Sequence, residues 1–203
     1  MTYTLIADGT SDRVLMPLLT WSLKRYGVTS ITPQWADLSR IPRARKRDHQ
    51  LRVALDLYPC DLLFVHRDAE TKPFAARRQE IADAANEIEV PHVPVVPVRM
   101  TEAWLLTSET AIRAAASNPN GADELQLPAI RRIEQIPDPK QMLHEVLARA
   151  SGLGARRRSK LPVEQQVHRI TSYIDDFSAL DELEAFRALQ RDIQAVLAHI
   201  AGR

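Results

Sequence analysis

The sequence predicts an α/β fold: a mainly parallel four-stranded sheet in the first half of the chain and a C-terminal α-helical appendage in the second. Three observations predict it. Over roughly the first hundred residues, short β-rich runs alternate with helical patterns, the mark of βαβ units. After Met100 the strand signal disappears. Apolar residues then recur at helical spacing, as in Val163, Val167, Ile170, Ile174 and in Leu183, Phe186, Leu189, Ile193, Val196, Ile200. A length of 203 residues suits one domain with an appendage, and the division is expected between residues 1–107 and 108–203, the second packed on the first.

Thr4-Leu5-Ile6-Ala7 reads as the first strand. It ends at Asp8-Gly9-Thr10-Ser11, where glycine permits a tight turn and Ser11 is placed to cap the helix that follows. That helix carries Leu15, Leu18, Leu19, Ser22 and Tyr26 on one side and stops at Gly27. Residues 31–36 form the second strand, at a sheet edge because Pro33 has no N–H for a ladder. A helix around Leu51, Ala54, Leu55 and Tyr58 leads into Leu62-Leu63-Phe64-Val65, an apolar run expected to be buried on both faces. A third helix turns Phe74, Ile81, Ala84, Ala85 and Ile88 inward and leads to residues 93–98, whose Pro94 and Pro97 again argue for an edge. Four helical stretches follow, at 102–108, at 141–150 and over the two apolar series; residues 118–121 and 152–158 read as loops.

Composition narrows the function. Hydrophobic residues at 45% and charged residues at 26% fit ordinary globular usage, which excludes wholesale disorder. No apolar run approaches the ~18 residues of a membrane span, and the start of the chain lacks the pattern of a signal peptide, so a cytoplasmic location without membrane contact is expected. A single cysteine, Cys60, excludes an internal disulfide and a thiolate metal cluster within one chain. With 27 basic and 26 acidic residues the net charge is only +1, so an anionic partner must be sought in local clusters.

In a parallel sheet, functional residues gather at the carboxyl ends of the strands. Three acids lie there: Asp8 after the first strand, and Asp68 and Glu70 after the third. If residues 65–70 stay extended, Asp68 and Glu70 share one face. Three converging carboxylates repel one another unless a cation sits among them, and hard oxygen ligands favour Mg²⁺ or Mn²⁺ over zinc. The bland alternative makes Asp8-Gly9 a turn and Asp68 the cap of a helix beginning near Pro73. Arg40, Arg43, Arg45, Lys46, Arg47 and Arg52 crowd one stretch with only Asp48 opposing them. They suit a phosphate backbone or, equally, a solvated helix face. Arg156, Arg157, Arg158 and Lys160 lie in a Gly-flanked segment that could close over the same substrate. His66 and Arg67 sit beside the acids, able to polarise a phosphate, although His66 also reads as a buried strand residue.

Asp8-Gly9-Thr10-Ser11-Asp12 resembles the Toprim motif, a strand ending in Glu-Gly and a polar pair, and Asp68-Ala69-Glu70 resembles its Asp-x-Asp. Met100-Thr101-Glu102-Ala103-Trp104-Leu105-Leu106 is similar to a segment of a small Toprim-like group catalogued as a domain of unknown function, number 4276. That group is related to nucleases of the overcoming-lysogenisation-defect type. Asp138-Pro139-Lys140 and Ser159-Lys160 also suit it. The resemblance covers most of the chain, with Asp8 in place of the usual Glu and Glu70 in place of the second Asp. It implies a Toprim-like Rossmannoid fold and Mg²⁺- or Mn²⁺-dependent phosphodiester cleavage. Asp68 would be the principal ligand, Glu70 a second or water-mediated ligand, and Asp8 a ligand or general base. Glu102 would complete the shell or simply start a helix. The resemblance further implies DNA or RNA as substrate and a prokaryotic phage-defence setting. An ATPase partner fits because the chain has no nucleotide-binding P-loop of its own, and a homo-oligomer is compatible.

A non-catalytic subunit docking on an ATPase or nucleic acid remains the alternative. A haloacid-dehalogenase-type phosphatase is excluded because Ile6 stands where the nucleophilic aspartate of Asp-x-Asp-Gly-Thr would be. A serine hydrolase lacks its Gly-x-Ser-x-Gly elbow.

Overall fold

Short extended runs, each followed by a helix, build one all-parallel sheet from β1 (Thr2–Ile6), β2 (Thr32–Trp35), β3 (Leu62–His66) and β4 (His92–Val95) in the order β2-β1-β3-β4. The computed structural model describes residues 1–38 and 47–202. Every residue of β3 is buried, as its unbroken apolar run requires, and it lies between β1 and β4. Pro33 and Pro94 stand in the two edge strands, where each strand has a neighbour on one side and a missing N–H costs no ladder bond.

Helices cover both faces. α1 (Leu15–Arg25) brings Leu15, Leu18, Leu19 and Leu23 onto the face that carries Tyr3, Leu5, Leu62, Phe64, Val93 and Val95. α2 (Arg47–Leu57) and α3 (Phe74–Ala84) bring Leu51, Ala54 and Ile81 onto the opposite face, against Ile6, Leu63 and Val65. This division follows from right-handed crossovers. The connection from β1 to β2 runs one way across the sheet, while those from β2 to β3 and β3 to β4 run the other way, so their helices fall on opposite faces. Gly27 ends α1 at φ +86°, with its N–H on the Lys24 carbonyl and the Val28 N–H on the Leu23 carbonyl. That paired closure needs a left-handed residue after the helix, and glycine takes it without a Cβ clash.

The second half is helical: α4 (Glu102–Leu105), α5 (Glu109–Ala115), α6 (Pro139–Ala150), α7 (Ala155–Arg158), α8 (Val163–Ile170) and α9 (Glu184–Ala201). The buried faces of all but α7, which buries no residue, join the α1 side of the sheet in one continuous apolar cluster. Trp104, fully buried, stacks edge-on against Phe186 of α9 at 5.6 Å between ring centroids. Gln190 of α9 donates to the Ser22 hydroxyl of α1 at 2.8 Å, tying the last helix to the first. No helix among the described residues is long and apolar enough to cross a membrane.

Several local expectations are corrected. Residues 102–108 do not make one helix: α4 stops at Leu105, and α5 restarts where Ser108 accepts the Ala111 N–H. Residues 152–158 are not all loop, since α7 lies within them. The apolar series from Val163 to Ile174 splits into α8 and a 3-10 turn over Thr171–Tyr173. Ser11 caps nothing: a 3-10 turn over Thr10–Val14 begins after Gly9, and the carboxylate of Asp12 accepts the Gly9 N–H at 3.2 Å. Asp68 is not the cap of α3, whose N-cap is Pro73 and which has no side-chain cap.

At α6, Asp138 accepts the Gln141 N–H at 2.9 Å and Pro139 occupies the first turn, a combination that satisfies one orphan donor and presets the helical φ. Asp138→Ala is expected to lower stability by about 1 kcal/mol. A fall in the urea midpoint with unchanged slope checks it.

Candidate metal centre

Side-chain parity along β3 decides which residues meet at its carboxyl end. Leu62 and Phe64 face the α1 side of the sheet, whereas Leu63 and Val65 face the α2 side. Alternation therefore sends His66 and Asp68 to the α1 side and Arg67 to the other. The ladder extends past the strand, with the Arg67 N–H on the Val95 carbonyl at 3.1 Å and the Ala69 N–H on the Pro97 carbonyl at 3.0 Å, so the alternation holds through Asp68. On the α1 side these two side chains meet Asp12, delivered by the 3-10 turn that leaves β1. Asp12, His66 and Asp68 each offer a donor atom, and the three donors lie within 4.8 Å of one another. They form a group able to hold a metal ion, set between β1 and β3, where the chain's path across the sheet reverses and open α/β sheets bind ligands.

His66 is 1% exposed. Its Nδ1 lies 2.9 Å from the Val95 carbonyl oxygen, which can only accept, so Nδ1 carries the proton and Nε2 faces the acids. Nε2 stands 3.6 Å from both Asp12 Oδ1 and Asp68 Oδ1 and 3.2 Å from the Thr101 hydroxyl. A backbone carbonyl behind an imidazole is the usual support of a metal-ligating histidine, because it sets both ring orientation and tautomer. Thr101 Oγ1 donates to Asp68 Oδ1 at 3.2 Å.

Burial is the largest influence on Asp68 and lifts its pKa to about 6. The nearby charges of Asp12 and Glu102 contribute to that rise, against the opposing pull of His66 and the Thr101 hydrogen bond. For His66, burial works to lower the pKa, but Asp12 above all, then Asp68 and the Val95 carbonyl, outweigh it and leave the pKa raised. Crowded acids around a buried imidazole are the electrostatics that a cation relieves.

The predicted acids part company here. Asp68 belongs to the group, and Glu102, buried at the start of α4, is near enough for its charge to act on Asp68. Asp8 has the parity of Ile6, which faces the α2 side, and its carboxylate is taken by Arg47 and by Arg67 Nε, the latter at 3.2 Å. Burial works to raise its pKa, but the two arginines hold it below the usual value. Residues 65–70 do not stay extended throughout: Glu70 adopts φ +53°, and its exposed carboxylate lies 3.5 Å from Arg77 Nη2. The three acids predicted to converge are therefore not brought together. Asp12 and His66 take their places, and the donor set is no longer oxygen alone. The signal for His66 was present in the parity of Leu62 and Phe64, and the signal for Asp12 in its place four residues after Asp8.

Of the predicted phosphate-binding residues, Arg43, Arg45 and Lys46 lie outside the described residues, as does Arg40. Arg47 is the first residue of α2 and pairs with Asp8, while Arg52 pairs with Glu87. Arg156, Arg157 and Arg158 lie on α7 and, with Lys160, are exposed. Cys60 is half-buried and burial raises its thiol pKa, which suits a structural residue. No protein-family model matches this chain, and neither a curated protein nor a solved structure is significantly similar to it.

Proposed function

We propose that this chain is a metal-dependent phosphodiester-cleaving enzyme acting on nucleic acid. The observation that carries the reading is the group Asp12, His66 and Asp68 at the switch point of the sheet. One imidazole nitrogen beside two carboxylates fits a divalent cation, and suits Mn²⁺ better than the Mg²⁺ expected of an all-oxygen set. When bound, such an ion activates water and neutralises charge on the transferring phosphoryl group.

The residues of the chain do the rest. The Val95 carbonyl holds the His66 tautomer, so that Nε2 is the nitrogen offered to a ligand. The Thr101 hydroxyl orients Asp68, and burial, helped by the charges of Asp12 and Glu102, raises its proton affinity in the metal-free chain. The resemblance to Toprim nucleases points to the same chemistry but reaches the group through Asp68 alone, since Asp8 and Glu70 lie apart from it. The phage-defence setting with an ATPase partner rests on that resemblance alone.

The test is cleavage of labelled single- and double-stranded DNA and RNA by the purified chain with Mn²⁺, beside Asp12→Asn. The expected result is cleavage by wild type and a loss of about 100-fold or more in the variant, about 2.7 kcal/mol of barrier. A wild type that binds Mn²⁺ yet leaves every nucleic acid intact would shift the reading to a non-catalytic docking subunit.

A further inference from the structure

The metal group uses one side of the end of β3, and the other side carries a cationic cluster that it leaves unused. Arg67, between His66 and Asp68 in sequence, points away from both and toward α3. There Arg67 Nη1 lies 3.1 Å from Glu80 Oε2, and Lys72 and Arg77 hold the same carboxylate. Arg77 is 3% exposed and fixes Glu80 from below. Arg67 is thus pinned on one flank, with its Nε edge turned to Asp8, and Arg47 reaches the other oxygen of Asp8 from the start of α2. The exposures run in an unusual order: the Asp8 side chain is 52% exposed, its partners Arg47 and Arg67 only 18% and 28%. The cations are set back in the surface and the anion sits outermost, in the position an incoming ligand would take.

We propose that Arg47 and Arg67 form a phosphate-binding site whose place is held, in the free protein, by the Asp8 carboxylate. Two guanidinium groups converging on two oxygens of one anion is the arrangement that recognises carboxylate and phosphate alike. Exposed ion pairs hold weakly, so a phosphate bearing more charge displaces Asp8 at little cost. Arg67 lies between two metal donors in sequence but projects from the opposite side of the strand end, so a phosphate held here does not share the cation's ligands. The proposal rests on the phosphodiester reading above and deepens it, assigning Asp8 to substrate entry. Phosphate of a polynucleotide and phosphate of a small nucleotide share this chemistry, and the choice of probe separates them.

The experiment measures binding of inorganic phosphate, adenosine monophosphate and a single-stranded oligonucleotide to the full chain in chelator, with Mn²⁺-induced melting shifts recorded alongside. Asp8→Asn keeps the shape and removes the competing charge, and it is expected to tighten phosphate binding about tenfold. The double variant Asp8→Asn with Arg67→Gln should lose that gain. A gain for all three probes assigns the site to phosphate in general, and a gain confined to the two small probes assigns it to a small phosphorylated ligand. Binding that is unchanged, weaker or absent in Asp8→Asn overturns the proposal. So does loss of the Mn²⁺ shift in that variant, which would make Asp8 a metal ligand. Tighter phosphate binding by a chain that cleaves nothing would keep this site and remove the enzymatic reading, so the two failures are distinguishable.

Discussion

Mn²⁺ at about 100 times its dissociation constant is expected to stabilise the wild-type chain by about 2.7 kcal/mol, because an ion bound only to the native state acts by mass action. For a chain of this length that corresponds to a rise in melting temperature of about 5–10 °C. Asp68→Asn and His66→Gln should each abolish most of the rise, since each removes one of the three donors gathered within 4.8 Å. Asp8→Asn should keep it, because Asp8 faces Arg47 and Arg67 on the other side of the strand end. Mg²⁺ should give a smaller rise than Mn²⁺ if His66 Nε2 is a ligand, as nitrogen donors favour the softer ion. Differential scanning fluorimetry over a metal titration reads all of this, and equal shifts in wild type and Asp68→Asn would remove the assignment.

Without metal the sign reverses. The Asp68 carboxyl has its pKa raised to about 6 in the folded chain, so between about pH 4 and 6 the folded state binds the proton that the unfolded state has released. Its contribution to stability is therefore fully present below about pH 4 and is lost as the pH rises through 6. At pH 7 and above the ionised, crowded Asp68 costs up to about 3 kcal/mol. Asp68→Asn, which resembles the protonated form and can still accept from Thr101, should stabilise the chelated protein by about that amount at pH 7.5 and hardly at all at pH 4. His66 loses a neighbouring charge in the variant, which trims the gain. Urea midpoints in chelator across this range check the prediction. A variant less stable than wild type at pH 7.5 would show that Asp68 supports the fold instead of straining it.

The two expectations together separate a metal ligand from a structural acid. A structural acid stabilises the native state under all conditions in which it is ionised, and its removal is never an improvement. A ligand held beside Asp12 and Glu102 costs stability until its cation arrives.

Much of the architecture was legible in short windows of sequence. Pro33 and Pro94 marked the edge strands, Leu62 to Val65 the buried one, Gly27 the end of α1, and the apolar series from Leu183 the course of α9. Each of these follows from a residue's own donors, its φ range or the spacing of its near neighbours, and those act within a turn or a strand. Short elements escaped for the same reason: α5 and α7 span 7 and 4 residues, too few for an apolar period to stand out.

The site was legible only in part. Its place, at the carboxyl ends of β1 and β3, and one of its members, Asp68, followed from strand order and from the acids near the strand ends. Which other side chains join Asp68 was a matter of three dimensions. The parallel register pairs Ile6 with Val65 and places both in the apolar layer on the α2 side, so Asp8 falls with Arg67 on the side away from Asp68. A left-handed backbone at Glu70 ends the extended run that would have aligned its carboxylate with Asp68. The 3-10 turn after Gly9 swings Asp12 back toward His66, and Thr101 closes over both His66 and Asp68 from the start of the helical half. By itself the sequence determined the strands, their edges and the end of the sheet where chemistry gathers. Only the tertiary structure decided the donor set: strand alternation puts residues 66 and 68 on one side, but residues 12 and 101 reach them through loop geometry and sheet register, which no local pattern of side chains encodes.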